Sequence, residues 1–103
     1  KLQPLEKGED VQVIVTTMTF DDLLWIGATP EIQVATIRAI KEASPFKETA
    51  FSGWTNEGKD STGTYMAEDY MYDLGTYQAG KSRFYLGAAQ SFRDQVIDII
   101  KNL

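Results

Sequence analysis

Eight residues, Gly75-Thr76-Tyr77-Gln78-Ala79-Gly80-Lys81-Ser82, satisfy the G-x-x-x-x-G-K-[ST] spacing of a phosphate-binding loop. In such a loop Gly75 and Gly80 would let backbone amides face the phosphates. Lys81 would neutralise charge, and Ser82 would hold magnesium at the start of a helix. The surroundings do not suit that chemistry. A phosphate loop follows a buried parallel strand and needs later strands, one of which brings an acidic partner for the metal. In a chain of 103 residues only 21 follow Ser82, and Asp69 and Asp73 stand just upstream, where they would repel phosphate. A glycine-punctuated hairpin turn is the simpler reading, with nucleotide or phosphate binding through residues 75–82 kept as an alternative.

The second candidate is the stretch Tyr65 to Tyr77, YMAEDYMYDLGTY. It holds four of the five tyrosines, three carboxylates and no basic residue. Tyrosine and methionine combine large contact area with a polar or adaptable tip, and tyrosines anchor protein interfaces. Read as a strand over Thr64–Leu74, alternation turns Met66, Tyr70, Tyr72 and Leu74 inward. It leaves Tyr65, Asp69, Met71, Asp73 and Tyr77 for a partner. Glu68 then interrupts the apolar face, partly desolvated. A single such acid is a thin basis for an enzyme, and an inward charge also protects a sheet edge. The predicted partner-binding set is Tyr65, Glu68, Asp69, Met71, Asp73 and Tyr77.

Composition narrows the chemistry further. The chain has no His and no Cys, so imidazole bases, thiol nucleophiles, imidazole or thiolate metal sites and disulfides are excluded. The loop Asn56–Gly63 has oxygen donors, but Lys59 lies within it and the calcium-loop order is missing. No catalytic residue, metal ligand or cofactor is assigned. With 15 acidic against 10 basic residues the net charge is −5, which disfavours nucleic acid and anionic membranes. The longest apolar run, Leu23 to Ala28, is far short of the roughly 20 residues that a membrane span requires. Acidic residues also cluster: Gly8 to Ile37 carries five carboxylates and no Lys or Arg. Localisation is left open.

Periodicity predicts the elements that position these residues. Residues 1–9 read as a flexible arm and 10–103 as one domain. Asp10–Phe20 alternates apolar residues on both faces, as a central strand does. Asp21–Thr29 fits a hairpin into a second strand, or a helical turn, which is slightly preferred. Thr29-Pro30-Glu31 resembles a helix start, predicting a helix over Pro30–Ala43 that ends at Ser44-Pro45. Strands are expected at Phe46–Thr55, Thr64–Leu74 and Ser82–Leu86. The last helix, Ala88–Leu103, carries Ala89, Phe92, Val96, Ile99, Ile100 and Leu103 on one stripe, with Ile97 beside it as a candidate homodimer contact. Trp25 and Trp54 are expected in the core.

The expected fold is therefore α+β: a mainly antiparallel sheet of four to five strands with two helices packed on one face. The expected function is that of a non-catalytic acidic binding or regulatory module. It would engage a basic or amphipathic protein partner through its acidic, tyrosine-rich sheet region. A homo-oligomeric structural subunit is the further alternative.

Overall fold

The computed structural model describes residues 13–55, 65–82, 84 and 86–103. The expected arm 1–9, the first residues of the strand expected from Asp10, and the loop 56–63 lie outside the described residues. Val15–Phe20 (β1) and Leu23–Ala28 (β2) form an antiparallel hairpin, in which Phe20 pairs with Leu23, Met18 with Trp25 and Val15 with Ala28. The hairpin, not the helical turn, is thus adopted at Asp21-Asp22. Asp21 takes the left-handed backbone of the turn (φ 54), which Asp tolerates better than most residues because its short side chain bonds locally.

The chain continues through Glu31–Ile32 (β3), Val34–Ala43 (α1), Glu48–Ser52 (β4), Tyr65–Met66 (β5), Asp69–Leu74 (α2), Tyr77–Lys81 (α3) and Ala88–Lys101 (α4). β4 lies parallel to β2, so β2, α1 and β4 form a crossover unit within a sheet of order β1-β2-β4. β3 and β5 pair in parallel as a second sheet of two strands. The architecture is α+β with four helices, a three-stranded mixed sheet and a two-stranded parallel sheet. The expected antiparallel sheet of four to five strands with two helices is not formed.

Three local causes account for the difference. Thr29 does not cap a helix. It is fully buried, and its hydroxyl accepts from the Ile14 amide at 3.2 Å. The chain therefore stays extended through β3, and α1 begins only at Val34. At Thr64–Leu74 only Tyr65–Met66 is strand among the described residues; Asp69–Leu74 is helical, ended by Gly75. The expected strand Ser82–Leu86 fails because Ser82 ends α3, and neither Phe84 nor Leu86 is in a strand.

The core lies between the sheet and the long helices. Leu24, Ile26 and Ala28 on β2, Ile40 on α1, and Phe92, Val96 and Ile100 on α4 form one cluster with Ile32 and Met66. Phe51 of β4 meets Phe92 edge-on, with ring centroids 6.4 Å apart. α4 matches its predicted span closely, but the stripe is narrower: Ile99 and Leu103 are exposed. Ile97, expected to be free for a second copy, packs against the core instead. β1 is an edge strand of the sheet among the described residues and is not central, and Met18 and Phe20, on the sheet face opposite the helices, are exposed.

Candidate functional site

The acidic, tyrosine-rich segment folds as two short helices meeting at a sharp bend, and Gly75-Thr76 makes that bend. Gly75 adopts the left-handed conformation at φ 67, and the Thr76 amide reaches back to the Met71 carbonyl at 3.2 Å while that of Gly75 bonds Tyr72 at 3.3 Å. This pair of bonds is a Schellman stop. Thr76 then restarts the chain as the cap of α3, its hydroxyl accepting from the Ala79 amide at 3.2 Å. One residue ends a helix, and its neighbour begins the next.

Gly80, Lys81 and Ser82 of the apparent phosphate loop each have a place in this knuckle. Gly80 lies inside α3, its amide bonded to Thr76 at 3.1 Å, and the Ser82 amide bonds Ala79 at 3.2 Å. Both amides are turned into the helix, whereas a phosphate loop needs them pointing at the ligand, ahead of a helix. Lys81 places its ammonium 5.8 Å from the centre of the Tyr77 ring, within the range of a cation–π contact. Ser82 is buried, its hydroxyl 2.7 Å from that of Tyr72 and 3.2 Å from the Phe84 amide it accepts. The segment thus differs in conformation from the loop its spacing imitates.

The remaining residues separate into two groups. Glu68 and Tyr72 turn inward. The Thr36 hydroxyl donates to Glu68 Oε1 in the first turn of α1. That turn has no acidic residue of its own and no side-chain cap at Gln33, so Glu68 brings the negative charge a helix start favours. Replacing Glu68 by Ala strands the buried Thr36 hydroxyl and is expected to cost about 1–3 kcal/mol in denaturant unfolding, whereas Glu68→Gln keeps an acceptor and costs less. Glu68 is therefore a structural tie between β5, α2 and α1.

Tyr72 is half-buried, with its hydroxyl 2.7 Å from the Phe84 carbonyl oxygen, to which it donates. Burial pushes its phenol above the ordinary 10.0; the Ser82 hydroxyl opposes the rise and the Asp69 carboxylate adds to it. The folded chain consequently holds this proton more tightly than the unfolded chain. The associated stability is fully present below pH 10.0 and is lost as pH rises through the folded-state value. Thermal melts across the tyrosine titration range are expected to fall more steeply for the wild type than for Tyr72→Phe.

The other group faces water. Tyr70, Asp73, Leu74 and Tyr77 are exposed, Leu74 by 72% and Tyr77 by 66%. Asp69 is exposed too, but its Oδ1 accepts from the Gly87 amide at 2.8 Å and so holds the start of α4. Met71 is half-buried. Tyr65 is half-buried and stands edge-on to Tyr77, centroids 5.9 Å apart; burial, then Glu31 and Tyr77, raise its phenol pKa. Of the six residues predicted to meet a partner, Asp73 and Tyr77 present their side chains outward, with Tyr65 supporting Tyr77. Tyr70 and Leu74 were expected inward and are the additions. The signal for them was present in the spacing 70, 73 and 74, which is helical and not strand-like, whereas Tyr77 belongs to the next helix beyond the Gly75-Thr76 bend.

Among the described residues no group of three or more carboxylates could hold a metal ion. A groove of ≈ 460 Å³ beside β1 and α4 is lined by Val13, Val15, Met66, Phe92, Val96 and Ile99, with Ser91 and Gln95 as polar members. No carboxylate or cation is among its described lining residues. No described helix is long and apolar enough to cross a membrane. No protein-family model matches the chain, and comparison with curated proteins and with solved structures finds no match.

Proposed function

We propose that this chain is a non-catalytic binding module that engages a basic or amphipathic protein partner through the α2–α3 knuckle. The observation that carries this reading is the shared exposure of Tyr70, Asp73, Leu74 and Tyr77 on two helices fixed by the Gly75-Thr76 bend. Large apolar and aromatic side chains held rigidly in water supply contact area at small entropic cost. The carboxylates beside them attract a basic partner and speed encounter. The site lies on short helices, not on the sheet region that the alternating pattern suggested.

The test is comparative capture from cell extract by the wild-type chain and by an Asp73→Lys, Leu74→Ser double variant. Both positions are exposed, so the variant is expected to melt near the wild type. A basic protein retained by the wild type and lost from the variant supports the proposal. The same retained set for both chains contradicts it.

A further inference from the structure

We propose a second docking surface, the outer face of the β1-β2-β4 sheet, whose occupant is an amphipathic helix with basic residues flanking its apolar stripe. The register defines that face. Met18 lies opposite Trp25 and Phe20 opposite Leu23, while Leu23 and Trp25 pair with Glu48 and Ala50 of β4. Paired residues share a face, and Leu24, Ile26 and Phe51 alternate to the other side, where the helices pack. The outer face therefore carries Met18, Phe20, Leu23 and Trp25. Met18 is 64% exposed and Phe20 79%.

Single exposed apolar residues are ordinary, but a contiguous group on rigid strands marks an interaction site. The Trp25 indole is held along this face. A Cβ at Gly27 would stand 2.6 Å from Trp25 Cη2 and 2.8 Å from Thr55 Cγ2, so this glycine makes room for the indole alongside the strand. The indole nitrogen donates to Ser52 Oγ at 3.3 Å, tying the ring to β4. Three strands about 4.8 Å apart give a surface wide enough for one helix of about 10 Å diameter.

Charge selects the occupant. Asp21 and Asp22 at the hairpin tip and Glu48 at the start of β4 are exposed beside Phe20 and Leu23, with Lys47 as the one basic neighbour in those turns. A second copy would bring the same carboxylates and a net charge of −5 against them. A helix with Lys or Arg beside its apolar stripe meets them with opposite charge. This surface shares no residue with the α2–α3 knuckle, and the proposal does not rest on that reading.

The probe is a synthetic amphipathic Leu/Lys helix of about 18 residues, spanning about 27 Å, with a Leu/Glu helix of the same pattern as its counterpart. Binding is followed by NMR at the Met18 methyl and the Trp25 indole N–H. The Leu/Lys helix is expected to shift both signals and to bind at least tenfold more tightly than the Leu/Glu helix. Met18→Ser with Phe20→Ser, both on exposed positions, is expected to weaken binding at least tenfold; Asp73→Lys with Leu74→Ser leaves the Met18 and Trp25 shifts in place. Equal affinity for the two helices, or unchanged binding by the Met18/Phe20 variant, overturns the proposal. So does a dimer mass in light scattering that the Met18/Phe20 variant reduces to a monomer, since the occupant would then be a second copy.

Discussion

Replacing Ile100 by Ala is expected to lower the unfolding free energy by about 2–5 kcal/mol, while the same change at Ile99, one residue earlier, costs about 1 kcal/mol or less. The two residues have identical chemistry and adjacent positions on α4. Ile100 is 0% exposed and belongs to the cluster that joins α4 to α1 and β2, whereas Ile99 is 46% exposed. Removing the buried side chain forfeits its transfer from water and leaves a cavity that a packed interior closes only partly. Domains of this size are stable by about 5–15 kcal/mol, so the loss at Ile100 is a large share of the total. Urea unfolding of both variants checks it: equal midpoints for the two would mean that α4 packs on a different face.

Once a partner is in hand, Tyr77→Ala and Leu74→Ala are each expected to weaken its binding by about 1–3 kcal/mol, mainly by faster dissociation. Both side chains project from the knuckle, and Tyr77 is braced by the Tyr65 ring and the Lys81 ammonium. Little ordering remains to be done when a partner arrives. Asp73→Asn is expected to act differently. An exposed charge steers encounter and is screened by salt, so its loss slows association more than it speeds release. Asp69 is a poor choice for the same experiment, because its carboxylate already holds the Gly87 amide.

The parts of this fold that were legible in the sequence are those in which local pattern and tertiary burial agree. α4 is such a case, as its stripe from Ala89 to Ile100 has one period and one buried face. β1 and β4 were legible as strands from their β-branched and apolar residues. Their pairing was not, because the parallel partnership of β2 and β4 depends on α1 crossing between them. Thr29 shows how a good local signal loses to tertiary structure: its hydroxyl serves the Ile14 amide of a segment 15 residues away.

The knuckle failed as a strand for a related reason. Tyr70 and Tyr72 alternate and have high strand preference, but Gly75 and Thr76 together stop one helix and cap another. Those two residues read as the start of a glycine-punctuated hairpin turn, with the phosphate-loop spacing as the alternative, and neither reading gives a helix stop followed by a helix cap. The same substitution of one meaning for another occurs at β1. Apolar residues on both of its faces suggested a buried central strand, yet Met18 and Phe20 are exposed. Trp54, expected in the core, is instead 46% exposed and donates its indole N–H to Glu31 Oε1 at 2.9 Å. An apolar pattern does not by itself say that the chain covers that face.

The α2–α3 knuckle is proposed as a charged and aromatic recognition surface. Its most direct test is the association rate of the captured partner, followed by stopped flow over a range of ionic strength. The wild-type rate is expected to fall as salt rises, and Asp73→Asn, folded and equally stable, is expected to associate more slowly with a shallower dependence on salt. A rate indifferent to salt and unchanged by Asp73→Asn would contradict it.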